Sequence, residues 1–207
     1  KLNITMKLGK EVTAQEVLAL KPHSILVATG SNVISIPLEG LDQVQTVQAH
    51  DVLANDMQFA NKKVVVIGGG ITGLETALYI NRQGTNQVSV VDMLPEWPVD
   101  MLDMRYQNEA LLEVRHCNDQ GVALFYNNKV VKFADGKLFI ESTKDGEVKE
   151  LPADVIVLSV GVKPNDALWQ ELLASGHPSV WKAGDAIATG KINKAVLHGS
   201  KFGYSLN

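Results

Sequence analysis

Lys63-Val64-Val65-Val66-Ile67 runs without a spacer into Gly68-Gly69-Gly70-Ile71-Thr72-Gly73, and this junction constrains the fold more than any other stretch of the chain. A β-branched apolar run of this length reads as a strand buried on both faces, the habit of parallel sheets. Leu74, Ala77 and Leu78 follow at helical spacing, so the pattern predicts a helix over residues 71–82 with Gly84 as its C-terminal cap. The next apolar run, residues 87–92, closes a strand-helix-strand unit of about 30 residues.

The residues between strand and helix satisfy G-x-G-x-x-G in the context that gives the pattern its meaning. Gly68 permits the tight turn, Gly70 lets a diphosphate approach the backbone, and Gly73 lets helix and strand pack closely. With Gly69, Ile71 and Thr72 they bring backbone N–H groups to a helix N-terminus, where the dipole favours an anion. Asp92 ends the second strand, where a carboxylate can accept from both hydroxyls of an adenosine ribose and would repel a 2′-phosphate. No Arg or Lys lies in residues 93–101 to receive such a phosphate, although Arg82 or Arg105 could fold back, so NAD(H) is expected over NADP(H). The plainer reading of Asp92 is a solvated strand end.

The rest of the chain extends this α/β pattern. Residues 24–30 form an apolar run stopping at Gly30, residues 103–118 read as a helix, and residues 122–126 as a strand after Gly121. Residues 129–133, 137–142 and 147–151 are short strands separated by Ala134-Asp135-Gly136 and Lys144-Asp145-Gly146, and Asp-Gly is a strong hairpin signal. They predict a three-stranded antiparallel meander. Residues 154–160 return to an apolar run ending at Gly161, residues 180–185 to a strand and turn, and residues 192–206 to a final helix. Lys1-Leu2-Asn3-Ile4-Thr5-Met6 alternates like a strand. The expected fold is a Rossmann-type parallel sheet with helices on both faces, plus the meander.

Composition narrows the function. Of 207 residues 45% are hydrophobic and 20% charged, which fits a folded globular chain and excludes a disordered one. A net charge of −4 with no Lys/Arg cluster argues against nucleic acid as a partner. No apolar run approaches the roughly 18–20 residues that span a bilayer, and the start lacks a signal-peptide core, so a cytoplasmic protein without a membrane partner is expected. Cys117 is the only cysteine, which removes an internal disulfide, a redox dithiol and a thiolate metal cage. The five histidines are scattered without ligand spacing, so no metal is expected. A single-domain NAD-dependent dehydrogenase would need its own acid or base, and no Tyr-x-x-x-Lys pair is present.

Further stretches share an order with the glycine loop: Ile25-Leu26-Val27-Ala28-Thr29-Gly30-Ser31, Val157-Leu158-Ser159-Val160-Gly161-Val162-Lys163-Pro164-Asn165, and Ala183-Gly184-Asp185-Ala186. With Gly68 to Glu75 they resemble, over nearly the whole chain, the FAD/NAD(P)-dependent pyridine nucleotide-disulfide oxidoreductases. Within that group the sequence is most similar to the C-terminal region of NADH:flavin oxidoreductases of the 2,4-dienoyl-CoA reductase, 2-enoate reductase and trimethylamine dehydrogenase type. The resemblance implies an NAD(H)-binding domain over residues 54–178, inserted into a partial FAD-type domain made of residues 1–53 and 179–207. It implies that the glycine loop, Glu75 and Gly161 face the nicotinamide nucleotide. It likewise implies that Ala28, Thr29, Gly30, Gly184 and Asp185 face FAD, with Asp185 on the ribityl chain. Glu75 reads equally well as a helix-dipole partner.

The reaction implied is hydride transfer from NADH to flavin, with no side chain acting as acid or base. The family's first glycine loop, which holds the FAD diphosphate, would lie upstream of Lys1, so the chain reads as a piece of a longer polypeptide with an incomplete FAD site. Upstream domains of that polypeptide, carrying FMN and an iron–sulfur cluster in the narrower group, would be its partners, and an oligomer is left open. The alternative is a non-catalytic module that binds ADP or NAD. On these grounds the purified 207-residue chain is expected to be colourless, without a stoichiometric flavin peak in its absorbance spectrum. Cys117→Ser is expected to keep both fold and nucleotide affinity, and Asp92→Ala to weaken NADH binding by about 1–2 kcal/mol in a calorimetric titration.

Overall fold

In a computed structural model, which describes residues 3–95 and 104–206, the elements follow in this order. First come α1 (Ala14–Ala19), β1 (Ile25–Val27), β2 (Ser31–Val33), β3 (Gln45–Gln48), α2 (Ala49–Ala54) and β4 (Lys63–Ile67). Then come α3 (Ile71–Asn81), β5 (Gln87–Val91), α4 (Met104–Asp119), β6 (Ala123–Phe125), β7 (Asn128–Ala134), β8 (Lys137–Ser142) and β9 (Val148–Pro152). The chain ends through β10 (Val155–Leu158), β11 (Val162–Pro164), α5 (Ala167–Ala174), β12 (Val180–Lys182) and α6 (Ile192–Ser205). The expected helix start at Asp103, the side chain of Arg105, and Lys1 and Leu2 lie outside what is described.

The chain divides into two compact units, Ser35–Gly161, and Lys1–Ile34 with Val162–Asn207. The first is built on a parallel sheet of order β3-β10-β4-β5-β6, with Val64 opposite both Val155 and Val88. The period of two along β4 sends Val64 and Val66 to one face and Val65 and Ile67 to the other. On the first face they meet Val52 of α2, Leu74, Ala77 and Ile80 of α3, and Val114 and Cys117 of α4. On the second they meet Phe133, Leu138 and Ile140 of the antiparallel sheet β7-β8-β9. Complete burial of such aliphatic side chains contributes about 1.5–3 kcal/mol each, so the central strand is stabilised from both sides. The meander therefore covers the face where a second layer of helices was expected. Its Asp-Gly hairpin forms as predicted, Asp135 and Gly136 both adopting positive φ (50° and 73°).

The second unit holds two strand pairs, β1 parallel to β12 and β2 antiparallel to β11. Ile25 and Val27 of β1 pack with Ala14 of α1 and Leu172 of α5 in a small separate core. A capping box starts α1: the Thr13 side chain accepts from the Glu16 N–H, and the Glu16 carboxylate accepts from the Thr13 N–H. The two units divide at 34/35 and 161/162. The reason is pairing and packing: β3 joins the first unit through β10, and α5 joins the second through Leu172. The alternating start does not become a strand. Residues 3–10 form no strand, and Ile4, Met6 and Leu8 are exposed, because alternation without a paired neighbour satisfies no backbone group.

Among the described residues no helix is long and apolar enough to cross a membrane. Cys117 is fully buried in the core beneath α3, its Sγ 3.9 Å from the Leu74 carbonyl oxygen. Burial, assisted by the nearby Glu113 carboxylate, pushes its thiol pKa up to about 11, so at neutral pH it is a packed apolar group, not a nucleophile. Cys117→Ser is accordingly expected to lower stability by about 1–3 kcal/mol in urea denaturation, through the buried hydroxyl, while nucleotide affinity is unchanged.

Candidate functional site

The glycine loop joins the C-terminal end of β4 to α3, and each glycine answers a separate demand. Gly68 has φ +110°, and a Cβ there would lie 2.2 Å from the Ser159 carbonyl oxygen beyond β10. Gly73 is helical, yet its Cβ would meet the Gly68 carbonyl oxygen at 1.9 Å. Both contacts are with backbone, which cannot swing aside, so these positions are set by the close approach of helix to strand. Gly70 is different in kind. Its φ of −69° suits any residue, and a Cβ there would meet nothing within 4 Å. The protein itself has no need of a glycine at 70, whereas a ligand lying against the loop does.

Gly70 is also the N-cap of α3, and no side chain caps that end. An uncapped helix start beside open space is the arrangement that fits an anion, such as the diphosphate of a dinucleotide. The loop is laced to β5: the Gly68 N–H donates to the Val91 carbonyl at 2.8 Å and the Gly69 N–H to Asp92 Oδ2 at 2.6 Å. Asp92 is half-buried, and its Oδ1 accepts from the Leu94 N–H at 2.8 Å, so it is not merely a solvated strand end. Ile71 and Thr72 occupy the first turn of α3, Glu75 is exposed on the next turn, and Gly161 (φ +93°) lies beyond the end of β10, the strand beside β4. Every residue expected at the nicotinamide nucleotide thus lies in the first unit.

The residues expected at the flavin all lie in the second unit, where the ends of parallel β1 and β12 come together. Leu26, Ala28, Gly30, Gly184 and Asp185 line a concavity of about 510 Å³, with Gly190 and Ala195 on its far wall. Thr29 does not line it. Its hydroxyl donates to the Asn165 carbonyl, and the Asn165 N–H donates to the Gly30 carbonyl at 3.0 Å, so Thr29 ties the turn to the chain after β11. Gly184 adopts φ +63° and donates its N–H to Nδ1 of His198 on α6 at 3.2 Å. Asp185 accepts from the Gly190 N–H at 3.1 Å and from the Ser31 hydroxyl at 3.4 Å. A carboxylate among the small residues that line the concavity fits a polyhydroxyl chain and a flat ring system. Sequence reasoning singled out neither Ser159, which crowds the loop, nor Tyr126, whose Cε1 lies 2.9 Å from a Cβ placed on Gly69. The break that Ser159 makes in the apolar run of residues 154–160 is the one signal that could have marked it.

Fold and site together define a dinucleotide-binding α/β protein. The model of the pyridine nucleotide-disulphide oxidoreductase family matches residues 3–199, and the chain belongs to that family. It is 30% identical over 211 residues to an NADH oxidase of Thermoanaerobacter brockii, a match covering 98% of this chain and 31% of the relative. With a bilirubin reductase of Mediterraneibacter gnavus it shares 33% identity over 164 residues, 79% of this chain and 24% of the relative. A solved structure of 2-naphthoyl-CoA reductase in complex with 2-naphthoyl-CoA superposes with a TM-score of 0.80 at 26% identity, covering 97% of this chain and 29% of that one. The chain therefore spans less than a third of the length of each of these oxidoreductases.

Two neighbouring glycines separate structure from binding. Gly73→Ala is expected to cost at least about 3 kcal/mol of stability by overpacking against the Gly68 carbonyl. Gly70→Ala is expected to cost about 1 kcal/mol or less, the scale of an altered N-cap, while lowering dinucleotide affinity by about tenfold or more. Thermal melts paired with calorimetric titrations read both effects.

Proposed function

We propose that the chain is the NAD(H)-binding region, with part of the flavin site, of an NADH-dependent flavin oxidoreductase. The observation that carries this reading is Gly70, whose missing side chain serves no purpose in the protein's own packing, at the uncapped start of α3 in a chain of this family. NADH lies with its diphosphate on the first turn of α3 and its adenosine ribose at Asp92. The ribose hydroxyls donate to the lone pairs of Asp92 that Gly69 and Leu94 leave over. A 2′-phosphate at the same place meets a carboxylate with no cation beside it in residues 93–95, which sets the preference for NADH. Asp185 receives the hydroxyls of the flavin's ribityl chain, and Ala28, Gly30 and Gly184 leave room for the ring. The flavin, when bound, supplies the acceptor for a hydride. The protein's part is to hold and orient both partners, with Glu75 on the nicotinamide side of α3.

FMN and an iron–sulfur cluster belong, in this reading, to other parts of the polypeptide. Cys117 is buried in a core and offers no thiolate to a cluster.

In a calorimetric titration of the chain, NADH is expected to bind at least about tenfold more tightly than NADPH, the scale of one lost charge-assisted interaction. NADPH binding as tightly as NADH would overturn the assignment of Asp92. ADP binding as tightly as NADH would favour a module that recognises only the adenine nucleotide.

A further inference from the structure

Position 69 is one that the G-x-G-x-x-G pattern leaves free, yet the structure fastens it to the end of β5. Its N–H donates to Asp92 Oδ2 at 2.6 Å, the length of a strong charge-assisted bond. A Cβ on residue 69 would come 2.9 Å from Tyr126 Cε1 and 3.2 Å from the Asp92 Cβ. Asp92 is itself held through every polar group it has. Its N–H donates to the Phe125 carbonyl at 3.0 Å, its carbonyl accepts from the Asn128 N–H at 2.9 Å, and its Oδ1 accepts from the Leu94 N–H at 2.8 Å. A residue held at three other points and bonded to a loop amide fixes that amide in turn. From this we infer that Asp92 is a positioning residue for the dinucleotide loop as well as a partner of the ribose. It clamps Gly69, and thereby presets the N–H groups of Gly70, Ile71 and Thr72 for any dinucleotide diphosphate, whatever its 2′ substituent.

The Gly69 N–H is already committed to a carboxylate, so the diphosphate is held by the amides after it, on the α3 side of the loop. Ribose recognition alone and the clamp differ in what they predict for NADPH. If Asp92 acts only on the ribose, removing its charge leaves NADPH binding equal or tighter in every variant. If it also holds the loop, the outcome depends on whether an acceptor for Gly69 survives.

This inference rests on the proposed dinucleotide site, and its test separates the two. Asp92→Asn and Asp92→Ala are compared: both remove the charge, and Asn alone keeps an oxygen that can accept from Gly69. Calorimetric titration with NADPH is expected to give an affinity in Asp92→Ala about tenfold below that in Asp92→Asn. In ¹H–¹⁵N spectra taken without nucleotide, the Gly69 amide is expected to be downfield and slow to exchange in the wild type and Asp92→Asn, and to lose both properties in Asp92→Ala. Equal NADPH affinity in the two variants, or an unmoved Gly69 amide in Asp92→Ala, would overturn the clamp. Should the wild-type chain bind neither NADH nor NADPH, the proposed function falls, while the Gly69 amide still decides whether the clamp exists. Thermal melts of each variant show that the comparison is made between folded proteins.

Discussion

The α-carbon of Gly73 stands against the carbonyl oxygen of Gly68, a Cβ there being only 1.9 Å from it, and much of the first unit is arranged around that contact. It brings the first turn of α3 down onto the end of β4, so the following turns bury Leu74, Ala77, Leu78 and Ile80 against the sheet. That burial supplies the stability that a short helix lacks in isolation. The same approach leaves the amides at the start of α3 facing outward, because the chain must turn through Gly68 at φ +110° to make it. Packing and an uncapped helix end are therefore one feature: a residue that allowed less intimate packing would also turn the helix start away from the end of β4.

The parts of the fold that sequence made legible are those whose cause is local. The β-branched run of β4, the helical spacing after it, and the Asp-Gly hairpin at 135–136 each carry their own conformational reason within a few residues. Gln45-Thr46-Val47-Gln48 has no such signal, and it is a strand only because β10 presents a row of backbone groups in parallel register. Conversely, Ile4, Met6 and Leu8 have the alternation without the partner, and the strand does not form. The three-residue strands β2 and β11 depend on each other in the same way. Cys117 shows the limit for single residues, since its place at the end of a helix is readable while the Leu74 carbonyl above it is not.

The candidate sites divide along the same line. The positions of Gly68, Gly70, Gly73 and Asp92 follow from strand-turn-helix order, which a motif records directly. Which atoms stand against each glycine does not. Gly68 and Gly73 are fixed by backbone atoms of this protein, Gly70 by none, and Gly69 by Tyr126 and Asp92, neither of which is near it in sequence. In the second unit, Gly184 and Asp185 are legible as a strand-end turn, whereas the His198 ring and the Ser31 hydroxyl that hold them come from elsewhere in the chain. A motif marks where backbone and ligand can meet. The tertiary neighbours decide how rigidly they are presented.

That rigidity bears on a difficulty in the proposed site, which sets a carboxylate within one residue of a loop meant for an anion. An unpaired Asp92 would oppose the diphosphate as well as a 2′-phosphate. With backbone N–H groups of Gly69 and Leu94 on its two oxygens, part of its charge is offset by aligned dipoles on the side that faces the loop. The lone pairs that remain are those directed away from the two amides, where neutral hydroxyl donors are welcome and a dianion is not. The bonds that fasten the loop thus also restrict the direction in which Asp92 can accept further hydrogen bonds. In the proposed site one side chain would then tolerate the diphosphate, recognise the ribose and reject its phosphorylated form.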